Sequence, residues 1–322
     1  MADIVIVEPG HVLGYTKGLL VVRKNGSTIY SISVNEVDSV VIATKGVSLS
    51  GTLLWRLAAH GIPVYIVSSK GEALALLIPV DANKTSSTQI AQAEWRIDPE
   101  KRLKAAKWFI TAKLRSRIWL LRRLAASRRD QSLRDESYQL ELYVHRASQA
   151  SDPRELMDAE ARAGRIYWNA LKNLIPIELG FPGREPRRSD PVNRSLDYMY
   201  SLLRVRCHLA LQLAGFNPYM GFMHVDKSGR PSLTLDYMES YRWIVEKVLL
   251  NLIASGLRPE LYLDKLSKDT RKALYRALRD AFNSPVPGSR VPLGKAILRD
   301  AWSLSKAIRE DSIFQPTLPR QV

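Results

Sequence analysis

The sequence predicts an α+β protein of two domains, a small β-rich, sandwich-like N-terminal domain and a larger all-α C-terminal domain. Three observations carry this prediction. Runs of β-branched residues end near residue 80, helical spacing of apolar residues dominates from Gln89 onward, and the formal charge changes from +1 over residues 1–90 to +15 over residues 91–322. A length of 322 residues suits two domains. We place the domains at 1–82 and 91–322, with a linker at 83–90.

The N-terminal prediction rests on a hairpin signal. Residues 18–24 lead into Asn25-Gly26, the strongest two-residue hairpin turn, and the chain returns through residues 27–32. Residues 37–42 and 62–67 are further β-branched runs that predict strands.

One helix interrupts these strands. Residues 48–61 contain a serine that can cap the start of the helix and Gly61 to stop it. Beyond the strands, residues 81–87 are small and polar without periodicity, which is typical of a linker.

The C-terminal domain is predicted from apolar residues at helical spacing, for example Ile110, Leu114, Ile118 and Leu121. Stretches rich in Pro and Gly at 176–190, 217–231 and 283–288 predict loops. Residues 314–322 are expected to form a frayed tail.

Basic residues are concentrated in two stretches of this domain. Residues 101–129 hold eleven Lys and Arg and no acid, and residues 182–188 add three arginines. Both stretches predict contacts with the phosphates of a polyanion, since a net charge of +16 favours such a partner. A solvated helix face would have the same composition.

Several function classes lack their motifs. The sequence has no Walker loop, no His-Glu-x-x-His, no Cys-x-x-Cys and no Gly-x-Ser-x-Gly, so nucleotide hydrolysis, zinc proteolysis and esterase chemistry are not supported. The single cysteine, Cys207, excludes an internal disulfide and is expected to be an inert core thiol. No apolar run is long enough to cross a membrane, and we expect a cytoplasmic protein.

Glu160 is the first candidate site residue. It lies on the apolar stripe of a helix predicted over 154–174, where a buried carboxylate needs a partner. That partner could be an arginine such as Arg165, in which case Glu160 is structural, or it could be a metal ion.

The segment 221–242 holds a denser cluster. Asp236 and Glu239 share one face of a predicted helix at i, i+3 spacing, and His224 precedes them across a turn. A mixed set of carboxylates and one imidazole suits Mg²⁺ or Mn²⁺ and does not exclude Zn²⁺. The alternative is a helix start that favours acids because of its dipole, beside a histidine satisfied in a loop.

At these residues the chain resembles the CRISPR-associated endonuclease/integrase of the adaptation module, Cas family one. The resemblance spans nearly the whole length and is strongest in four ordered signatures, at residues 160–168, 190–193, 215–224 and 232–242. Two differences stand out in the last signature: Glu239 stands where relatives often carry aspartate, and Ser240-Tyr241 replaces the commoner Pro-Phe.

The resemblance implies an N-terminal domain that forms a homodimer and a C-terminal catalytic domain. It implies a Mg²⁺ or Mn²⁺ ion held by Glu160, His224 and Glu239, with Asp236 as a further catalytic residue. Whether Asp236 binds the metal directly is left open. It also implies a small ferredoxin-like companion subunit.

From this resemblance we expect a metal-dependent DNA endonuclease and integrase that joins the 3′-hydroxyl of captured DNA to a CRISPR repeat. Double-stranded and branched DNA are the expected substrates. The residues predicted to contact DNA are Lys113, Arg117, Arg184, Arg187, Arg188 and Arg242. Two alternatives remain, a non-catalytic nucleic-acid scaffold and a metal-dependent nuclease without transferase activity.

Overall fold

Within the described residues of the N-terminal part, the structure has two four-stranded sheets, one α-helix and a 3₁₀ turn, Val34–Glu36. The computed structural model describes residues 2–67, 73–79, 86–224 and 228–320. One sheet has the strand order β4-β3-β2-β6 and the other β1-β5-β7-β8. The strands are β1 Ala2–Ile6, β2 His11–Thr16, β3 Leu19–Lys24, β4 Ser27–Ser33, β5 Val37–Ile42, β6 Ser48–Leu49, β7 Val64–Val67 and β8 Ala73–Leu77, and the helix α1 is Gly51–Ala59.

The predicted hairpin is confirmed. Strands β3 and β4 pair antiparallel with Lys24 opposite Ser27, and Asn25 and Gly26 both take positive φ, at 51° and 80°. This is the backbone that a type I′ turn requires. Helix α1 is capped by Ser50, whose hydroxyl accepts the backbone N–H of Leu53 at 3.1 Å.

Helices make up nearly all of the second part, which confirms the predicted fold class. They are α2 Ser87–Ile97, α3 Pro99–Arg128, α4 Gln131–Gln149, α5 Pro153–Lys172, α6 Pro191–Leu213, α7 Ser232–Met238, α8 Arg242–Ala254, α9 Lys268–Asn283 and α10 Leu293–Arg309. A 3₁₀ turn, Glu239–Tyr241, joins α7 to α8, and a two-stranded ribbon is formed by β9 Leu261–Tyr262 and β10 Lys265–Leu266.

The chain divides into two units, Met1–Lys84 and Thr85–Val322. Of the predicted linker, residues 83–85 lie outside the described residues. Residues 87–90 form the first turn of α2, so this part of the predicted linker is helical. Ser87 and Thr88 are polar but still compatible with a helix start, and Thr88 is buried, with its hydroxyl 2.8 Å from the Ser305 hydroxyl.

Helix α3 is enclosed by its neighbours over much of its length. Phe109, Ile110 and Leu114 are fully buried, and α4, α5 and α8 all pack against this helix. A helix surrounded in this way buries side chains on every face. Charged residues in the middle of α3 therefore lie in the interior of the domain, and the site described below is built around them.

The prediction of a frayed tail at residues 314–322 is wrong for the described part. Phe314 is 3% exposed and packs against the rings of Trp108 and Phe109. The backbone N–H of Thr317 donates to Asp300 at 2.6 Å. Residues 314–320 thus dock on the helical core through specific hydrogen bonds, which composition alone does not reveal.

The apolar residues of the helices pack into the hydrophobic core. Among the described residues, no helix combines the length and apolar character needed to cross a membrane. Cys207 is fully buried in α6, and burial raises the pKa of its thiol. A buried, protonated thiol is unreactive, in agreement with the prediction for this residue.

Candidate active site

Asp236 organises one half of the site. It lies in α7, is fully buried, and its carboxylate accepts the backbone N–H groups of Phe222, Met223 and His224 at 2.7, 2.9 and 3.1 Å. Nδ1 of His224 lies 2.5 Å from Oδ1 of the same carboxylate. These four contacts fill the hydrogen-bonding capacity of a carboxylate, so Asp236 holds the loop and the imidazole in place.

Gly221 makes this arrangement possible. A Cβ atom at this position would lie 2.7 Å from Cβ of Ser232 and 2.9 Å from Oδ2 of Asp236. Any side chain would push the loop away from the carboxylate that binds it. Glycine is therefore required here for close approach.

Glu239 follows one turn later and lies in a strongly positive environment. It is 3% exposed, and its carboxylate contacts Nη2 of Arg242 at 2.8 Å and Nζ of Lys113 at 2.6 Å. Burial works to raise the pKa of Glu239, but the Arg242 and Lys113 charges outweigh it and lower the pKa to about 2. Glu239 is ionised at neutral pH.

Glu160 reaches the same lysine from α5. Its Oε1 lies 2.5 Å from Nζ of Lys113. Glu160 is partly exposed, with 20% of its side chain accessible, and its partner is Lys113 of α3, so the suggested pairing with Arg165 is wrong. Because one nitrogen contacts both carboxylates, the contacting oxygens of Glu160 and Glu239 are no more than about 5 Å apart.

The predicted ligands are brought together in two pairs. Lys113 joins Glu160 to Glu239, and Asp236 joins His224 to the helix that runs directly into Glu239. Over the ranges that the structure describes, no three His, Cys, Asp or Glu side chains have the geometry of a metal site. The ligand set Glu160, His224 and Glu239 therefore stays a prediction.

The donor chemistry of this site fits a hard divalent cation. Oε2 of Glu239 is buried and lies 2.6 Å from the Lys113 ammonium. A buried carboxylate oxygen that already faces one cation is suited to bind a metal ion in its place. The bond from Asp236 uses Nδ1 of His224, so Nε2 is the nitrogen through which this imidazole could bind a metal.

The prediction that Lys113 and Arg117 contact DNA is corrected by their positions. Lys113 lies between two carboxylates, and Arg117 is 3% exposed and donates to Glu246 at 3.0 Å. Both residues belong to the basic stretch at 101–129, but α3 turns these two positions toward the core. Their charges balance buried acids.

Glu246 is a residue that the sequence reasoning missed. Its carboxylate accepts the hydroxyls of Tyr167 and Tyr200, at 2.5 and 2.7 Å, in addition to Arg117. Burial favours the neutral acid, but Arg117 and the two hydroxyls lower the pKa of Glu246. Glu246 lies in the mostly apolar stretch 243–250. A carboxylate in such surroundings indicates a buried acid that needs a partner, which is the same pattern that pointed to Glu160.

The loop that carries the predicted arginines is held by the signature at 190–193. Asp190 caps α6, and the side chain of Asn193 donates to the carbonyl of Gly183 at 2.9 Å. Arg184 donates to Asn193 and to Asp197, at 3.0 and 2.6 Å. The signature thus fixes the shape of an arginine loop.

Four of the predicted DNA contacts remain near the surface. Arg187 and Arg188 are exposed, although Arg188 pairs with Glu185 at 2.7 Å. Arg184 and Arg242 are partly exposed and line an open concavity of about 700 Å³ together with Arg187, Arg204 and Arg230. Because Arg242 also contacts Glu239, this arginine-lined concavity adjoins the carboxylates.

A family model described as CRISPR associated protein Cas1 matches residues 4–280. The chain belongs to the Cas1 family. A curated relative from Hyperthermus butylicus, named CRISPR-associated endonuclease Cas1, is 34% identical over 330 residues and covers 98% of each chain. This confirms the resemblance seen in the four signatures.

Two solved structures share the fold of this Cas1-family chain. One is described as a casposase bound to integration product, with a TM-score of 0.81 and 21% identity over 99% of this chain and 93% of the other. The second is a chain of a Cas6-RT-Cas1–Cas2 complex, with a TM-score of 0.77 and 21% identity over 99% of this chain and 36% of the other. At these identities the likeness shows the fold alone.

Proposed function

We propose that this protein is a metal-dependent DNA endonuclease and integrase of CRISPR adaptation, which joins 3′-hydroxyl ends of captured DNA to the CRISPR repeat by transesterification. The observation that carries the proposal is the pair of carboxylates, Glu160 and Glu239, that share the buried Lys113 ammonium. Asp236, three residues before Glu239, orients the imidazole of His224. The name of the relative from Hyperthermus butylicus supports a nuclease, and the casposase structure supports an integrase.

Glu160, Glu239 and Nε2 of His224 would hold Mg²⁺ or Mn²⁺. When bound, such an ion neutralises charge on a phosphate and lowers the pKa of an attacking hydroxyl or water. Asp236 would orient the imidazole rather than hold the ion, because its oxygens accept hydrogen bonds from residues 222–224. Lys113 supplies the positive charge that keeps the two acids together in the metal-free protein.

The arginine-lined concavity would bind the DNA strand that enters the site. Arg184 and Arg242 both lie over the ring of Tyr200, at 5.4 and 4.8 Å from its centroid, which holds their guanidinium groups in position. Guanidinium groups bind phosphates in bidentate fashion. Arg187 and Arg188, at the exposed end of the loop, would extend these contacts along the backbone.

A homodimer through the N-terminal part is supported by its exposed apolar residues. On strand β4, which is at the edge of its sheet, Ile29 and Tyr30 are 55% and 46% exposed, and Trp55 of α1 is 64% exposed. Exposed apolar residues on an edge strand are typical of a protein interface. A small companion subunit is supported by the solved Cas6-RT-Cas1–Cas2 complex, one chain of which shares this fold.

The experiment that tests this function uses a branched DNA that mimics a half-integrated fragment. Purified protein is incubated with Mn²⁺, Mg²⁺ or EDTA, and Glu160→Ala, His224→Ala and Glu239→Ala are compared with the wild type. We expect strand rejoining that requires metal and is lost in each variant. Free ends without joined product would indicate a nuclease that lacks transferase activity, and binding without any product would indicate a scaffold. The matched control is Glu155→Ala, an exposed acid of α5.

A further inference from the structure

A second group of basic side chains lies on the far half of α3. Arg123 of α3, Lys247 of α8 and Arg320 of the tail line one cavity of about 280 Å³, together with Trp119 and Arg122. No acidic residue lines this cavity. Arg122 pairs with Glu141 at 2.6 Å, whereas Arg123, Lys247 and Arg320 have no acidic partner among the described residues.

Three positive charges around one cavity repel each other, so this arrangement has an electrostatic free-energy cost. The effect is visible at Lys247, where burial and the charge of Arg123 lower the pKa of the ammonium. An anion would relieve this repulsion. The cavity is large enough for a phosphate group.

The cavity is built by specific contacts. The indole N–H of Trp119 donates to the carbonyl of Arg320 at 3.0 Å, and the backbone N–H of Arg320 donates to the carbonyl of Pro287 at 3.0 Å. Gly288 allows this approach, since a Cβ there would lie 2.8 Å from Cβ of Arg320. The tail is thus fixed so that its last described residue completes the cavity.

This group is separate from the carboxylates. Arg123 follows Lys113 by ten residues on α3, which places it about 15 Å farther along the helix axis. Arg115, Arg128 and Arg129 are exposed on or just beyond the same helix, so the surroundings are basic as well. Such a surface suits an extended polyanion better than one small ion.

We infer that Arg123, Lys247 and Arg320, with Trp119 as the wall, form a phosphate-binding site that holds the backbone of a nucleic acid away from the carboxylate site. Sequence-independent contact is expected, because contacts to phosphate groups carry no direct sequence information. The site requires no metal.

The test compares the double variant Arg123→Gln/Lys247→Met with the charge-matched control Arg154→Gln/Lys172→Met, which changes two exposed residues of α5. In the first arm, thermal unfolding is followed with and without pyrophosphate in EDTA. We expect pyrophosphate to raise the melting temperature of the wild type and the control, and to raise that of the double variant by less, because the double variant keeps only the arginine-lined concavity. Unfolding without ligand checks that both variants fold.

In the second arm, binding to a short DNA duplex in EDTA is measured over a range of salt concentrations. Log affinity falls with log salt, and each lost phosphate contact reduces the steepness of this fall by about 0.9. The steepness should therefore decrease by about 1.8 in the double variant and stay unchanged in the control. A smaller effect of pyrophosphate on the double variant, with an unchanged DNA slope, would assign the site to a small phosphate compound and would overturn the nucleic-acid assignment. If the double variant behaves like the control in both arms, the assignment of a phosphate-binding site to this cavity is wrong. Since neither arm uses metal or strand transfer, failure here leaves the proposed function untouched.

Discussion

The imidazole Nδ1 of His224 lies 2.5 Å from Oδ1 of Asp236, a carboxylate that also accepts the backbone N–H groups of residues 222–224. One buried acid therefore fixes both the loop and the ring that it carries. The same acid lies three residues before Glu239, so the position of the loop is tied to that of the second acid.

Replacing Asp236 by asparagine should weaken metal binding without unfolding the protein. The amide nitrogen would face N–H donors where the carboxylate accepts them, and His224 would lose its orientation. Removal of a partner that orients a ligand typically costs 10- to 100-fold in metal affinity, and we expect about this loss for Mn²⁺ measured by calorimetry. Asp158→Asn, at an exposed acid of α5, is the control. Unchanged affinity in Asp236→Asn would contradict the role given to this residue.

Lys113→Met should destabilise the protein most when metal is absent. The change removes the cation that Glu160 and Glu239 share and leaves Glu239 with Arg242 alone, and breaking a buried ion pair costs about 3–5 kcal/mol. Mn²⁺ should recover part of this loss, because it replaces the missing charge. The measurement is urea unfolding in EDTA and in Mn²⁺, with Lys104→Met, at an exposed pair with Asp311, as control. Equal losses under both conditions would mean that Lys113 does not take the place of a cation.

Acid should remove a contribution that Glu239 makes to stability. The folded pKa of this residue, about 2, lies below the ordinary 4.5, so the contribution is complete above pH 4.5 and is lost as the pH falls toward 2. The shift corresponds to about 3 kcal/mol. In EDTA, the free energy of unfolding should thus fall less steeply below pH 4.5 in Glu239→Gln than in the wild type. Parallel curves would argue against the positive environment of Glu239.

Arg117→Met should affect stability but leave the salt dependence of DNA binding unchanged. Glu246 would remain buried with only its two tyrosine partners, at a cost of about 3–5 kcal/mol. The comparison is Arg187→Gln/Arg188→Gln, at exposed positions. This pair should weaken DNA binding and reduce its salt slope by up to about two units, with little effect on unfolding or metal affinity. If Arg117→Met reduced the salt slope of DNA binding and left stability unchanged, Arg117 would be a DNA contact after all.

Two glycine-to-alanine changes should shift the free energy of unfolding in opposite directions. Gly221→Ala forces a Cβ against Ser232 and Asp236 and should cost about 1–3 kcal/mol, with weaker metal binding. Gly164→Ala lies inside α5 with nothing within 4 Å of the new Cβ, so it should stabilise the helix by about 0.5–1 kcal/mol. Chemical denaturation of both variants measures the two effects. A neutral Gly221→Ala would show that the loop does not need this close approach.

The sequence determined the local structure and the chemistry of individual residues. Asn25-Gly26 predicted the hairpin because its turn needs positive φ at both positions, and helical spacing predicted α5 with Glu160 on its buried side. The signatures named the acids and the histidine. These features depend on neighbours within a few residues, which a sequence displays directly.

Only the tertiary structure decided which charges face the interior. Lys113 and Arg117 stand in one basic stretch with Arg115 and Arg123, and nothing local separates them. Because α3 is enclosed by α4, α5 and α8, the first two meet buried acids of other helices, while the last two stay at the surface. The docked tail was unpredictable for the same reason, since its partners lie far away in the chain. Burial and pairing are properties of packing between distant segments, and these fix what each charged side chain can do.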